Sequence, residues 1–218
     1  MDKPRIMILS DRPELAAEGR VGIPCAVPLI ASTRFDADLG FLGNRLPDRE
    51  QRVEEFFLSV AAALPKKTFL LGGNGWEDKP KAENVRYLGH VYTSDHNAFN
   101  CTSKAVLNVN RESMARYGFS PATRVFEAAG AAACLITDAW GGIDSFLQPG
   151  KEILVTHSGA DVARILQELG AERARSIGEA ARQRVLAEHT YEQRGALVAS
   201  ILHEVVSSSP AMVMETPA

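Results

Sequence analysis

Short apolar runs alternate along this chain with longer segments whose apolar residues recur at helical spacing. The clearest helical series begins near Asp48 and places its apolar side chains on one face: Val53, Phe56, Phe57, Val60 and Leu64. Seven apolar runs predict strands, at residues 5–9, 38–42, 68–71, 84–88, 105–109, 134–137 and 152–155. Strands that alternate with helices predict an α/β protein whose doubly wound parallel sheet carries helices on both faces.

The composition excludes several classes of function. The 24 lysines and arginines are balanced by 27 acidic residues, and the net charge of -3 provides no overall field for binding nucleic acid or an anionic membrane. The three cysteines, Cys25, Cys101 and Cys134, are far apart and form no disulfide framework or zinc motif. With no apolar stretch of eighteen residues, we expect no membrane span and a cytoplasmic protein.

In such a sheet, ligands bind where the strands end at their carboxyl edge. The first loop at that edge holds Gly43, Asn44, Arg45 and Arg49. Two guanidiniums four residues apart, beside a flexible glycine, could clamp a diphosphate. The alternative is a simple turn in which one arginine pairs with a neighbouring acid, Asp48 or Glu50, and the loop alone does not decide between them.

The loop at residues 117–124 opens a second helix, predicted at residues 122–133, with Ser120 as the N-cap and Pro121 at the first helical position. The free amides and the positive end of the helix dipole would attract an anion such as phosphate. The candidate ligands are Gly118, Phe119, Ser120, Thr123 and Arg124. A capped helix that binds nothing would have the same sequence pattern.

Glu127 stands one turn into this helix, among apolar neighbours. A carboxylate so placed must find a partner, because burying an unpaired charge is costly. It either faces the crevice and accepts hydrogen bonds from a ribose diol, or it pairs with Arg124 three residues earlier.

Other strand-end loops are weaker candidates. Gly141 and Gly142, preceded by Asp138 and Trp140, could present amides to a sugar or form a simple turn. His90, and His96 in the same connection, could reach a ligand, but two histidines without a third ligand do not indicate a metal, and none is assigned. The turn at residues 72–75 lacks the dinucleotide spacing GxGxxG, which disfavours a nicotinamide-dependent oxidoreductase.

Several motifs together resemble one known family. They are LGFLGNRLPDR, GGNGW, NVRYLGHV, SPATRVFEAAGAAACLITDAWGGIDSFLQPGKEILV and AEHTYEQR. These segments, spread from about residue 26 to about residue 205, resemble the C-terminal half of CgeB-like proteins, group 1 glycosyltransferases that share the spore-maturation and YkvP-type domain.

The resemblance implies a GT-B enzyme with two Rossmann-like domains, of which the C-terminal one binds the nucleotide-sugar donor. It assigns Glu127 to the donor ribose, the amides of Gly118 and Phe119 to the diphosphate, and Arg45 and Arg124 to catalysis, with Arg49 assisting. Related enzymes carry an E-x7-E motif, and here Phe119 stands where its first glutamate would be.

The resemblance also implies a domain organisation. Residues 31–206 would be the nucleotide-sugar-binding domain, residues 1–30 a remnant of or linker from a missing N-terminal domain, and residues 207–218 a disordered tail. The expected reaction is transfer of a sugar from a nucleoside diphosphate sugar, with UDP as one candidate carrier, to an acceptor hydroxyl, without metal or cofactor. The alternative is a non-catalytic nucleotide-sugar-binding or protein-interaction module. The partners considered are an unknown acceptor and either a separate acceptor domain or a second copy of the chain.

Overall fold

The computed structural model describes residues 31–208, and the segments 1–30 and 209–218 lie outside the described residues. Six parallel strands form one sheet: β1 (Leu39–Leu42), β2 (Phe69–Gly72), β3 (Val85–Gly89), β4 (Val106–Asn108), β5 (Leu135–Asp138) and β6 (Leu154–Thr156). Their order in the sheet is β3-β2-β1-β4-β5-β6. The chain therefore reverses its direction of winding between β1 and β4, which is where a doubly wound sheet forms its crevice.

Seven helices connect and cover the strands of the described part. Helix α1 consists of Glu50–Val53, a π-helical segment Glu54–Leu58, and Ser59–Ala63. The others are α2 (Thr93–Thr102), α3 (Glu112–Tyr117), α4 (Thr123–Gly130), α5 (Gly159–Glu168), α6 (Ala171–Glu188) and α7 (Tyr191–Ser208). Short 3-10 turns lie at Thr33–Phe35 and Ile143–Ser145. Between residues 31 and 208 no helix is both long and apolar enough to cross a bilayer.

The two sheet faces bury alternate residues of the same strands, as the pleat of a β-strand requires. Leu71 and Leu107 lie in the cluster that α1 and α5 cover, whereas Leu70 packs with Phe99 of α2 on the other face. Helix α4 packs close to the sheet through Ala128 and Ala129, both fully buried. Small side chains thus bring the amino end of α4 to the carboxyl edge of the sheet.

The six strands predicted from residue 38 onward and the helical series from Val53 to Leu64 are confirmed, with shifts of one or two residues at most strand ends. The strand predicted at residues 5–9 lies outside the described residues. The predicted start of α4 is wrong. Its N-cap is Ala122, with no side-chain cap, and not Ser120, and Pro121 precedes the helix. The helix also ends at Gly130 and not at residue 133, because Ala132 adopts a left-handed backbone with φ of 55°. The short helix α3 was not predicted.

Candidate functional site

The candidate site lies at the switch point, where the loops that follow β1 and β4 meet the amino end of α4. The loop after β1 contains Arg45 and Arg49, and the one after β4 contains Asn110 and Arg111. Arg111 is tied to the first loop through its Nε, which donates to Asp48 at 2.7 Å. The two loops are therefore held together across the crevice.

Arg45 pairs with acidic side chains, as expected if its loop is a simple turn and not a diphosphate clamp. Its Nε and Nη2 donate to Glu50 at 2.7 and 2.8 Å, and its Nη1 donates to Asp78 at 2.8 Å. These hydrogen bonds to Glu50 and Asp78 raise the pKa of Arg45 above its ordinary value. The bidentate bond with Arg45 and a further bond from Lys79 lower the pKa of Glu50 to about 2. The guanidinium of Arg45 is therefore already neutralised by Glu50 and Asp78 in the absence of a ligand.

Arg49 has no such acid bound to it. Its Nη2 donates to the backbone carbonyl of Asn44, its guanidinium carbon lies 5.6 Å from the ring centre of Phe41, and its buried Nε has no hydrogen-bond partner among the described residues. Burial lowers the pKa of Arg49; Asp48 opposes that shift, and Arg111 adds to it. Arg49 is thus a half-buried cation whose Nε–H donor is unused among the described residues.

Arg124, in the first turn of α4, is a second cation of the same kind. Its Nη1 is buried with no hydrogen-bond partner in residues 31–208, and over that range neither Arg124 nor Arg49 forms an ion pair. Burial lowers the pKa of Arg124, Glu127 opposes that shift, and Arg49 adds to it by repulsion. The structure therefore brings Arg49, Arg124 and Glu127 into one electrostatic cluster.

Glu127 is half-buried and accepts no hydrogen bond from the described residues, so the internal pair with Arg124 does not form. Burial is the largest effect on the pKa of His96, which it lowers, and on the pKa of Tyr191, which it raises. The negative charge of Glu127 lies close enough to both residues to raise the pKa of each, but the pKa of His96 stays lowered overall. Its carboxylate therefore retains its full capacity to accept hydrogen bonds from a ligand.

The two amides of the loop before α4 that the resemblance assigns to the diphosphate bind within the protein in this structure. The N–H of Gly118 donates to the carbonyl of Met114 at 3.0 Å, and the N–H of Phe119 donates to the carbonyl of Gly141 at 2.7 Å. Both donors are therefore occupied by backbone carbonyls of the protein, and their contact with the diphosphate stays a prediction. Ser120 and Thr123 are exposed at the start of α4, where the first amides of a helix have no intrahelical acceptor.

Asp138 and Trp140 are both buried and do not line an open crevice. Arg52 of α1 donates to Asp138 at 2.5 Å, and the N–H of Asn110 donates to the other carboxylate oxygen at 3.0 Å. Burial raises the pKa of Asp138, and these bonds oppose that shift. Asp138 thus links α1 to the loop after β4. No sequence motif pointed to Arg52 or Asn110.

The remaining candidates surround this cluster. Gly43 accepts a hydrogen bond from the Trp76 indole at 2.8 Å through its carbonyl, and the Asn44 side chain accepts one from the amide of Asn74 at 2.9 Å. The exposed ring of His90 packs edge-on against Tyr92 at 4.7 Å. No group of three histidine, cysteine or acidic side chains that could hold a metal occurs between residues 31 and 208.

A cavity of about 200 Å³ adjoins α4. It is lined by Pro121, Thr123, Phe126, His189, Tyr191 and Arg194. Because Tyr191 is also close to Glu127, this cavity continues the candidate site along the helix. The arrangement as a whole can bind an anionic group at Arg49 and Arg124 and a hydroxyl-bearing group at Glu127.

Comparison with known proteins gives one family and a set of similar structures. A family model described as glycosyl transferase-like matches residues 49–200, more than half of the chain. A search of curated proteins found no significant match.

Three solved structures illustrate the similarity in fold. HepE from Anabaena, solved in complex with UDP-glucose, is 15% identical, with 80% of this chain and 49% of that chain covered and a TM-score of 0.57. Sucrose-phosphate synthase from Thermosynechococcus elongatus is 15% identical, with 78% and 46% covered and a TM-score of 0.64. AviGT4, a glycosyltransferase involved in avilamycin A biosynthesis, is 16% identical, with 83% and 54% covered and a TM-score of 0.56. This chain therefore spans about half the length of these structures, and the predicted Rossmann-like fold is confirmed.

Proposed function

The chain belongs to the glycosyl transferase-like family, and we propose that residues 31–208 form the donor-binding half of a GT-B group 1 glycosyltransferase. In this proposal the crevice holds a nucleoside diphosphate sugar, and the sugar is transferred to an acceptor hydroxyl. The finer assignment to the CgeB and YkvP group is part of the proposal and rests on the sequence motifs.

The observation that carries the proposal is the pair of half-buried guanidiniums, Arg49 and Arg124, without a carboxylate partner among the described residues. Holding two such cations close together costs free energy, since each loses hydration and repels the other. A diphosphate offsets this cost, because its oxygens accept charge-assisted hydrogen bonds in the fork geometry that arginine provides.

The same two cations would promote the reaction. When the bond between the sugar and the diphosphate breaks, negative charge grows on the departing diphosphate. Fixed donors that meet this charge stabilise the transition state more than the ground state, and one such donor contributes about 2 to 4 kcal/mol. In this scheme Arg49, Arg124 and the amino end of α4 provide the charge stabilisation, so we expect transfer without a metal ion.

Glu127 would fix the nucleoside. Its unpaired carboxylate accepts hydrogen bonds only, and a ribose diol supplies two donors that match it. HepE was solved with UDP-glucose, which supports UDP as the first carrier to test.

Two measurements test the proposal on the full chain. We expect calorimetric titration to detect binding of at least one nucleotide among UDP, GDP, ADP and dTDP. UDP should bind more tightly than 2′-deoxy-UDP. Glu127→Gln should remove that preference, because the variant has no carboxylate to accept hydrogen bonds from the diol. Arg164→Met, which changes an exposed arginine of α5, is the matched control and should bind like the wild type.

Release of UDP from UDP-glucose, followed by a coupled assay, separates an enzyme from a binding module. Hydrolysis or transfer that falls with Arg124→Ala supports the glycosyltransferase. Binding without turnover in the presence of candidate acceptors supports the non-catalytic module. Failure to bind any of the nucleotides at millimolar concentration would contradict the proposed function in both forms.

A further inference from the structure

The segment AEHTYEQR joins α6 to α7 and has no role in the proposed donor site. Thr190 and Gln193 form a capping box in this segment. The amide of Thr190 donates to Oε1 of Gln193 at 2.8 Å, and the amide of Gln193 donates to the hydroxyl of Thr190 at 3.3 Å. These reciprocal bonds fix the start of α7, where Tyr191 and Arg194 line the cavity of about 200 Å³ beside α4.

Arg194 is a cation in this cavity without an acidic partner. Its guanidinium carbon lies 5.9 Å from the ring centre of Phe126 and 5.6 Å from that of Phe146. The neighbouring carboxylate of Glu188 instead binds Arg184, at 2.6 Å. Among the described residues Arg194 forms no ion pair. Its positive charge is therefore available to an anionic ligand.

The hydrogen bond between Arg194 and His189 leaves that charge intact. Nε2 of His189 lies 2.9 Å from the carbonyl of Phe146, which can only accept, so Nε2 carries the ring proton. Nδ1 therefore accepts from Nη2 of Arg194, at 2.9 Å. Burial lowers the pKa of His189; the bond to Phe146 opposes that shift, and the charge of Arg194 adds to it. A neutral imidazole thus orients the guanidinium without neutralising it.

The rest of the lining favours a six-membered ring that bears hydroxyl groups. A cavity of about 150 Å³ accommodates benzene, so about 200 Å³ is enough for a ring of that size with one small charged substituent. Pro121 and Phe126 provide apolar contacts for the C–H groups of such a ring. Thr123 and Tyr191 provide hydroxyls that both donate and accept hydrogen bonds. A monosaccharide has this combination of C–H and hydroxyl groups.

We propose that the cavity binds a monosaccharide that carries one anionic group, a phosphate or a carboxylate, with Arg194 as the partner of that group. The guanidinium presents parallel N–H donors that suit both anions, and its contacts with two rings and His189 fix its position before the ligand binds. Tyr191 is close to the negative charge of Glu127, so the anionic group faces Arg194 and the sugar hydroxyls face Tyr191. This second ligand site does not depend on the proposed function.

The two tryptophans of the chain let NMR report the two sites separately. The ring centres of Trp140 and Phe146 are 5.9 Å apart, whereas the indole of Trp76 donates to the carbonyl of Gly43, in the loop after β1, at 2.8 Å. In ¹H–¹⁵N spectra of the full chain, we expect glucose 6-phosphate and glucuronate to shift the indole signal of Trp140, and UDP to shift that of Trp76. Glucose and inorganic phosphate should bind about tenfold more weakly than glucose 6-phosphate, because each lacks one part of the recognised ligand.

Three variants test the role of the cavity. Arg194→Met keeps an unbranched side chain beside the two rings and removes the charge, so both sugar acids should bind about tenfold or more weakly, while UDP binds as before. Arg194→Lys keeps the charge without the planar fork and should be intermediate. Tyr191→Phe leaves Arg194 in place and should weaken both sugar acids about threefold. Arg175→Met, at an exposed position of α6, is the matched control and should bind like the wild type.

Glucose binding as tightly as glucose 6-phosphate, or an equal effect of Arg194→Met and Arg175→Met, would overturn the site. Inorganic phosphate binding as tightly as glucose 6-phosphate would refute recognition of the sugar ring. Competition between the sugar acids and UDP, with a loss of binding in Arg124→Met and none in Arg194→Met, would place the anions in the diphosphate site and contradict a second one. A clear preference for glucose 6-phosphate or for glucuronate supports the site and identifies the anionic group. A wild type that binds UDP and neither sugar acid refutes this site alone, and the reverse result refutes only the proposed function.

Discussion

Replacing Arg124 by methionine should make the protein more stable and, at the same time, a much weaker binder of nucleoside diphosphates. The guanidinium is half-buried beside Arg49, and its Nη1 has no hydrogen-bond partner within the described residues. Methionine has a similar length and no charge, so it fills the same space without the desolvation cost. The two effects have opposite signs because the same unpaired cation destabilises the empty protein and binds the ligand.

The expected magnitudes follow from the burial of that side chain. Leaving one buried donor unsatisfied costs about 1 to 3 kcal/mol, and because Arg124 is only half-buried we expect the lower end, about 1 kcal/mol. For a protein of this size that gain corresponds to a rise in Tm of about 2 to 4 °C. A hydrogen bond to a charged group contributes about 1.5 to 3 kcal/mol, so affinity for UDP should fall about 10- to 150-fold.

The assay combines urea denaturation without ligand and calorimetric titration with UDP. Arg124→Lys keeps the charge and loses the planar fork, so it should bind UDP with intermediate affinity. Arg164→Met makes the same chemical change at an exposed position of α5 and should alter neither quantity by much. If Arg124→Met lowered the Tm and left UDP affinity unchanged, Arg124 would be a structural residue and the proposed diphosphate site would be wrong.

Three further predictions concern the rest of the site and its support. Arg45→Ala should weaken UDP binding less than threefold, because the guanidinium is already paired, whereas Arg49→Ala should weaken it about tenfold or more, as calorimetry can show. The pKa of Glu50 lies near 2, below its ordinary 4.5, so its contribution to stability is present above pH 4.5 and is lost as the pH falls toward 2. The wild type and Glu50→Gln should therefore converge in unfolding free energy under acid, and a difference that stayed constant with pH would contradict this. Gly178→Ala should destabilise the fold by about 1 to 3 kcal/mol, since its Cβ would lie 2.0 Å from a backbone oxygen. Gly195→Ala has open space around it and should stabilise helix α7 by about 0.5 to 1 kcal/mol. Urea denaturation measures both changes.

The sheet and most helices could be predicted because their signal is local. Alternation along a strand records which side chains face which layer, and Leu70 and Leu71 indeed pack on opposite faces. The start of α4 could not be predicted in this way. Ser120 and Pro121 form a good local cap, but the bond from Phe119 to Gly141 fixes the preceding loop and moves the helix start to Thr123. That contact joins residues from two different strand connections.

The role of the buried carboxylate of Asp138 was unpredictable for the same reason. Asp138 ends a strand, as a ligand-binding aspartate would, and its sequence position gives no sign of its partner. Arg52 lies 86 residues earlier and binds it at 2.5 Å. Because the two residues are far apart in sequence, their interaction cannot be recognised from the sequence. Asp138, a candidate sugar contact, instead binds Arg52 and supports α1.

The two arginines of the loop after β1 show what the spacing of residues in the sequence can predict and what it cannot. The spacing establishes that two cations lie near the crevice, and either could clamp a phosphate. Which one remains available depends on Asp78, 33 residues away, which completes the pairing of Arg45 with Glu50. Arg49 is left with the ring of Phe41 and a backbone carbonyl, neither of which neutralises it. The residue best placed to bind a diphosphate is thus the one that the rest of the fold leaves unpaired, and sequence proximity to a ligand motif does not identify it.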